Sequence, residues 1–220
     1  MTPVLLSLSA LLAASAWAAP VAGAAPRADR PASVPGGWEK VDATELTDIT
    51  RDAEARKAPL AAGDDVSVQA EEPELLALQS LRNDRFVATE KSYAAPHTGV
   101  LRARSDAYNG SWEGFAFEWD EATETYALKS LANDRYVAVE KNFTGDAQNE
   151  LRARSTSVGG WERFVLYHNE DQDRWALQST LNGLFVTMEN NYTGSLQYVL
   201  RARSGEISGW EEFNLYTLEA

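Results

Sequence analysis

"LRARS" is spelled out at Leu101–Ser105, Leu151–Ser155 and Leu200–Ser204, at intervals of 50 and 49 residues. Once these strings are aligned, their surroundings align too. The openings read "LALQSLRNDRFVATEKSY", "YALKSLANDRYVAVEKNF" and "WALQSTLNGLFVTMENNY". The closings read "LRARSDAYNGSWEGFAF", "LRARSTSVGGWERFVLY" and "LRARSGEISGWEEFNLY". Three units therefore begin near Leu75, Tyr126 and Trp175 and cover about residues 75–124, 125–173 and 174–220. A fixed period of this length marks a repeat architecture, in which each unit completes its neighbours.

Each unit holds four short strand-like runs. In the second unit they are Tyr126–Leu131, Arg135–Lys141, Glu150–Ser155 and Trp161–His168. Asn83-Asp84, Asn133-Asp134 and Asn182-Gly183 fall between the first two runs, and these residue types tolerate the positive φ of a tight hairpin turn. A glycine-containing turn precedes Trp112, Trp161 and Trp210. Twelve strands in three equal groups predict an all-β chain: a β-trefoil of three four-stranded repeats, with a closed six-stranded barrel capped by three hairpins. The rival is a three-bladed propeller, but propellers normally have four or more blades. Period-two alternation puts Leu, Ala and Ser of each "LRARS" on one face and both arginines on the other. By the same rule Phe115/Phe117, Phe164/Leu166 and Phe213/Leu215 face the core, and the tryptophans three residues earlier face away.

The whole chain has 220 residues and a formal net charge of −13, so phosphate backbones and anionic headgroups are repelled; neither nucleic acid nor membrane is an expected partner. There is no cysteine, which excludes disulfides and thiolate chemistry. Residues 1–18 read as a secretory signal peptide, with an apolar run from Val4 to Leu12 and Ala16-Trp17-Ala18 before the cleavage point. A secreted, extracellular protein is expected, and the Ala-rich leader with no cysteine suits a bacterial source. Residues 19–72 read as an Ala/Pro-rich linker, partly disordered, in which Asp42–Ala58 has the spacing of a short helix with Leu46, Ile49 and Ala53 on one side. The trefoil is expected over 73–220 as a monomer.

The motif "S-L-x-N-D-R-[FY]-V-A-x-E", followed by "L-x-A-R-S" and "G-W-E-x-F", resembles the fascin-like β-trefoil family over Pro73 to Ala220. That resemblance implies two kinds of partner. Bacterial members resemble secreted carbohydrate-binding modules, which implies a polysaccharide or glycan; animal fascins bundle actin, which implies an actin-crosslinking alternative. Actin filaments are acidic, so the net charge of this chain weighs toward glycan. A shorter stretch, "VPGGWEKVDA" (Val34–Ala43), resembles the N-terminal segment of cystatins and implies a protease inhibitor as a third reading. The central Q-x-V-x-G loop of that family has only "VSVQA" as its nearest counterpart here.

For a glycan binder, two repeated sets of residues stand out. Trp112, Trp161 and Trp210 are each followed by an acid, Glu113, Glu162 and Glu211; an indole can stack on the C–H face of a sugar while a carboxylate accepts from its hydroxyls. The alternative is that the tryptophans pack beneath the hairpin cap and the glutamates tether turns, and large aromatics are usually mostly buried. Tyr93, Phe143 and Tyr192 form the second set, in loops after the second strands; binding and packing remain equally open for them. The first unit departs there, reading "KSYAAPHTG". Glu90, Glu140 and Glu189 align with the six "LRARS" arginines and suggest a structural charge array rather than a ligand site. No catalytic residue is expected, since neither His97 nor His168 recurs at an equivalent place. No metal site or cofactor is expected either, because "NEDQD" (Asn169–Asp173) lacks the spaced ligands of a calcium loop.

Overall fold

The computed structural model describes residues 32–57 and 73–218, without the side chains of 53–57. The signal peptide expected over 1–18 lies outside the described residues, as does much of the expected linker.

The chain order is β1 (Glu39–Lys40), α1 (Ala43–Lys57), β2 (Glu74–Ser80), β3 (Arg85–Glu90), β4 (Val100–Ser105), β5 (Gly114–Asp120), β6 (Thr125–Ser130), β7 (Arg135–Val139), β8 (Leu151–Ser155), β9 (Arg163–Asn169), β10 (Arg174–Ser179), β11 (Phe185–Met188), β12 (Leu200–Ser204) and β13 (Phe213–Thr217). Six of these close a ring: β2 pairs β5, β5 pairs β6, β6 pairs β9, β9 pairs β10, β10 pairs β13, and β13 returns to β2. Three hairpins, β3–β4, β7–β8 and β11–β12, stand at one end of that ring. They meet one another through Val100↔Arg152, Arg102↔Val199 and Glu150↔Arg201. This closed ring with three hairpins is a β-trefoil, and closure leaves the barrel no open edge.

The alternation of the sequence is what fills the barrel. Phe115, Phe117, Phe164, Leu166 and Phe213 pack with Leu76, Leu78, Leu128 and Leu177 into one core that continues into the hairpins through Val87, Leu101, Val137, Leu151 and Leu200. Each hairpin turn takes a left-handed residue where the sequence supplies Asp or Gly: Asp84, Asp134 and Gly183 have φ of 54°, 56° and 67°. The preceding asparagines do more than turn the chain. Asn83, Asn133 and Asn182 donate their side-chain amides to the carbonyls of Ala103, Ala153 and Ala202, at 2.9, 2.8 and 2.9 Å. Each turn is thereby tied to the middle of an "LRARS" strand.

The segment before the barrel is also part of the packed structure. Glu39 and Lys40 pair with His168 and Tyr167 on β9, and Trp38 lies against Tyr167, Phe185 and Ile207 outside the barrel. Helix α1 opens with a reciprocal cap: the Asp42 N–H donates to Glu45 Oε2 at 3.1 Å and the Glu45 N–H to Asp42 Oδ1 at 2.9 Å. Val41 and Leu46 then join the main core, with Ile49 against it. Thr47 donates to Glu74 at the start of β2, at 2.8 Å, so α1 sits over the barrel end opposite the hairpins. The ten residues that resemble a cystatin segment serve here as this clasp.

Candidate functional site

In each unit the two "LRARS" arginines flank one buried carboxylate. Glu90, Glu140 and Glu189 are only 3, 4 and 3% exposed. Each accepts from the first arginine, at 3.2 Å from Arg102, 3.0 Å from Arg152 and 3.3 Å from Arg201. Each also pairs with the second, Arg104, Arg154 and Arg203. A carboxylate so far from water is tolerated because two guanidinium groups neutralise and hydrogen-bond it.

The first arginine also reaches into another unit. Nε of Arg102 donates to the carbonyl of Gln197 at 2.6 Å, Nε of Arg201 to Gln148 at 2.6 Å, and Nε of Arg152 to Thr98 at 3.0 Å. The backbone of the following alanine does the same: Ala103 N–H bonds Tyr198 O, Ala202 N–H bonds Asn149 O, and Ala153 N–H bonds Gly99 O. Unit one thus grips unit three, three grips two, and two grips one. The repeated string is the part of each unit that closes the threefold ring.

Both candidate aromatic sets lie on this charge array. Tyr93, Phe143 and Tyr192 pack beneath the first arginines, whose guanidinium carbons are 5.6, 5.6 and 5.7 Å from the ring centroids. The hydroxyls of Tyr93 and Tyr192 also accept from Arg102 and Arg201. Arg104 lies 5.9 Å from the centroid of Trp112 and Arg154 lies 5.5 Å from that of Trp161. Trp210 instead carries Arg82 at 4.7 Å. The sequence treats the tryptophans and the loop aromatics as rival sites. In the first two units the structure joins them into one ladder: loop aromatic, arginine, buried glutamate, arginine, tryptophan. All six rings are half-buried, with one part in packing and another open to solvent.

The acids after the tryptophans are placed differently from the sugar-contacting role considered for them. Glu113, Glu162 and Glu211 are 4, 6 and 3% exposed and their oxygens are used by the turns. Glu113 accepts from the Ser105 hydroxyl at 2.7 Å and the Asn109 N–H at 3.2 Å. Glu162 accepts from the Gly159 N–H at 2.8 Å. Glu211 accepts from the Ser208 N–H at 3.0 Å and the Thr187 hydroxyl at 2.7 Å. Burial pushes the Glu211 carboxyl above the usual carboxylate range, and its hydrogen bonds oppose that shift. These three acids hold the turn that aims the tryptophan.

One corner breaks the repeat. Glu150 stands where the other units have Val100 and Val199, and it is fully buried. Its carboxylate lies 3.1 Å from Nδ1 of His97, which stands where the others have Ala147 and Leu196. The His97 ring in turn meets the edge of Phe143, at 6.5 Å between centroids. Neither residue was singled out as a site in the sequence, although both depart from the repeat.

No protein family's sequence profile matches the chain, and no curated protein matches it. Solved structures do resemble it in fold. A designed threefold-symmetric protein, ThreeFoil, aligns with a TM-score of 0.54 and 17% identity over 66% of this chain and 99% of its own. The BEL beta-trefoil aligns with a TM-score of 0.52 and 10% identity over 70% and 97%. A Polyporus squamosus lectin, bound to the epitope Neu5Aca2-6Galb1-4GlcNAc, aligns with a TM-score of 0.50 and 17% identity over 69% of this chain and 51% of the lectin. At these identities the likeness is one of fold.

Proposed function

We propose that the protein is a secreted, non-catalytic glycan-binding β-trefoil whose repeated platforms engage a polysaccharide together. The observation that carries this reading is the ladder itself. A half-exposed indole sits beside a guanidinium whose charge is already met from below by a buried carboxylate. At Trp161 such a surface offers an apolar ring face and N–H donors without a large net charge, which suits a neutral, hydroxyl-rich sugar, and at Trp112 the Lys91 ammonium adds a further donor 5.2 Å from the ring centroid. A lectin among the structures of the same fold is consistent with it, as is the resemblance to bacterial fascin-like modules.

Shallow sites bury little of a sugar, so each should be weak and the polymer should gain by engaging several at once. Retention on insoluble polysaccharide is expected to exceed the affinity for the matching short oligosaccharide by roughly a hundredfold. Trp161→Ala is expected to lower polymer retention about tenfold while the cooperative melt persists. Equal affinity for polymer and oligomer would remove the multivalent reading. Absence of binding across a panel of polysaccharides, with capture of actin filaments instead, would overturn the glycan reading altogether.

A further inference from the structure

The three unit junctions are not equivalent, and the third holds charge that the fold does not use. At each junction the turn leading into a unit's last strand lies against the first hairpin turn of the next unit in the ring. Residues aligned at the hairpin turn are Ala132, Leu181 and Arg82. Only where unit three meets unit one does an arginine stand there. Strand β13 begins between β10 and β2, with Phe213 opposite both Trp175 and Ser80. Around that start Leu81, Arg82, Gln172, Arg174, Gly209 and Glu212 line an open cleft of about 510 Å³.

Arg82 and Arg174 make no ion pair among the described residues, in a chain of net charge −13 where most described arginines are matched to a carboxylate. Arg82 is held only over the Trp210 ring, 4.7 Å from its centroid. Arg174 has two long contacts, to Asp173 O and Asn214 Oδ1, both at 3.3 Å. A guanidinium parked on an aromatic ring is oriented without being neutralised, so its donors remain available to an incoming anion. Half-exposed Arg163 is met by Asp120 at 2.7 Å, and among the described residues Arg135 is the one other arginine without an ion pair. What sets the cleft apart is that two such arginines share it, with Glu212 the one carboxylate on its lining.

We propose that this cleft receives the carboxylate of an acidic sugar, a uronate-type residue, with Arg82 and Arg174 as its donors and the Trp210 indole beside the sugar ring. The inference rests on the glycan-binding reading and adds a class of sugar to it. The platforms at Trp112 and Trp161 would hold the rest of the polymer, and this subsite would select chains that carry carboxylates.

The test compares retention of the full chain on polygalacturonate, on the same polymer methyl-esterified, and on dextran sulfate. Polygalacturonate is expected to be held about tenfold more tightly than its ester, and Arg82→Ala or Arg174→Ala should erase that preference. Arg82→Glu, at an exposed position, should reverse the preference and melts as a check on folding. Equal retention of the acid and ester forms overturns the subsite while leaving the glycan reading in place. Equal retention of dextran sulfate and polygalacturonate also overturns it, since the arginines would then read charge alone. If no polymer binds in any form, the glycan reading fails, which is a different result from loss of the preference.

Discussion

Each "LRARS" strand is held alike in all three units, whereas the loops that hold it differ at aligned places. The strands always supply two arginines to one buried glutamate and one backbone N–H to a neighbouring loop. The loops supply Tyr93, Phe143 or Tyr192 beneath the first arginine, and His97, Ala147 or Leu196 four residues later. The strand's contacts are mutual around a ring, so a change in one unit disturbs the grip on another. A loop needs only to present a carbonyl, and any residue has one. Constraint therefore falls on the strand's side chains and leaves the loop's free to diverge.

The largest test of that contrast removes a shared part. Glu140→Ala leaves Arg152 and Arg154 without their common acceptor, one of them nearly buried. A loss of about 3–5 kcal/mol in urea unfolding is expected, since an uncompensated buried charge remains. A loss below about 1 kcal/mol would mean that solvent already screens the array. The next effect tests whether the segment before the barrel belongs to the core. Leu46 is fully buried, and Leu46→Ala should cost about 2–4 kcal/mol in the same measurement. A neutral result would make α1 a bystander.

The twelve strands and the hairpin turns were legible because both depend on local pattern: alternation sets the face, and Asn-Asp or Asn-Gly sets the turn. The partner of a face was not. Period two places Arg102 away from the core but does not say that it meets Gln197, 95 residues later. The same limit explains why the tryptophans and the loop aromatics read as separate sites. Their link runs through a buried glutamate that alternation alone marks only as aligned. The segment 19–72 reads as linker because it has too few apolar residues for its own core; Val41 and Leu46 instead complete another. Asp42-x-x-Glu45 is a capping signal at the start of the helix read over Asp42–Ala58.

A smaller effect concerns the turn tether. Asn133→Ala removes the amide on Ala153 O, and with it the acceptor, at 3.2 Å, for the Arg135 N–H. The expected cost is about 1–2 kcal/mol, and the same substitution at Asn83 or Asn182 should cost as much. Unequal costs would show that the hairpins are less alike than their geometry.

The smallest expected effect lies at the His97–Glu150 corner, where units one and two depart from the repeat, and its sign is opposite. Burial pushes the Glu150 carboxyl above its ordinary range; the His97 hydrogen bond and Arg152 oppose the shift, and Glu140 adds to it. The folded protein therefore holds that proton more tightly than the unfolded chain does. Glu150 favours folding at low pH, and its contribution is lost as pH rises through the carboxylate range, above about 4.5. Replacing the pair by the residues of the third unit, Glu150→Val with His97→Leu, substitutes apolar packing for a buried ionisable pair. At neutral pH the double variant should be more stable by about 1 kcal/mol. The gain should shrink as pH falls toward the range where Glu150 takes up its proton, a difference read by subtracting the two urea-unfolding pH profiles. Glu150→Val alone leaves His97, 23% exposed at its side chain, able to turn to water, so it should keep most of that gain. A double variant that is less stable at every pH would show that the histidine–glutamate contact holds units one and two together, as the arginine clasps do.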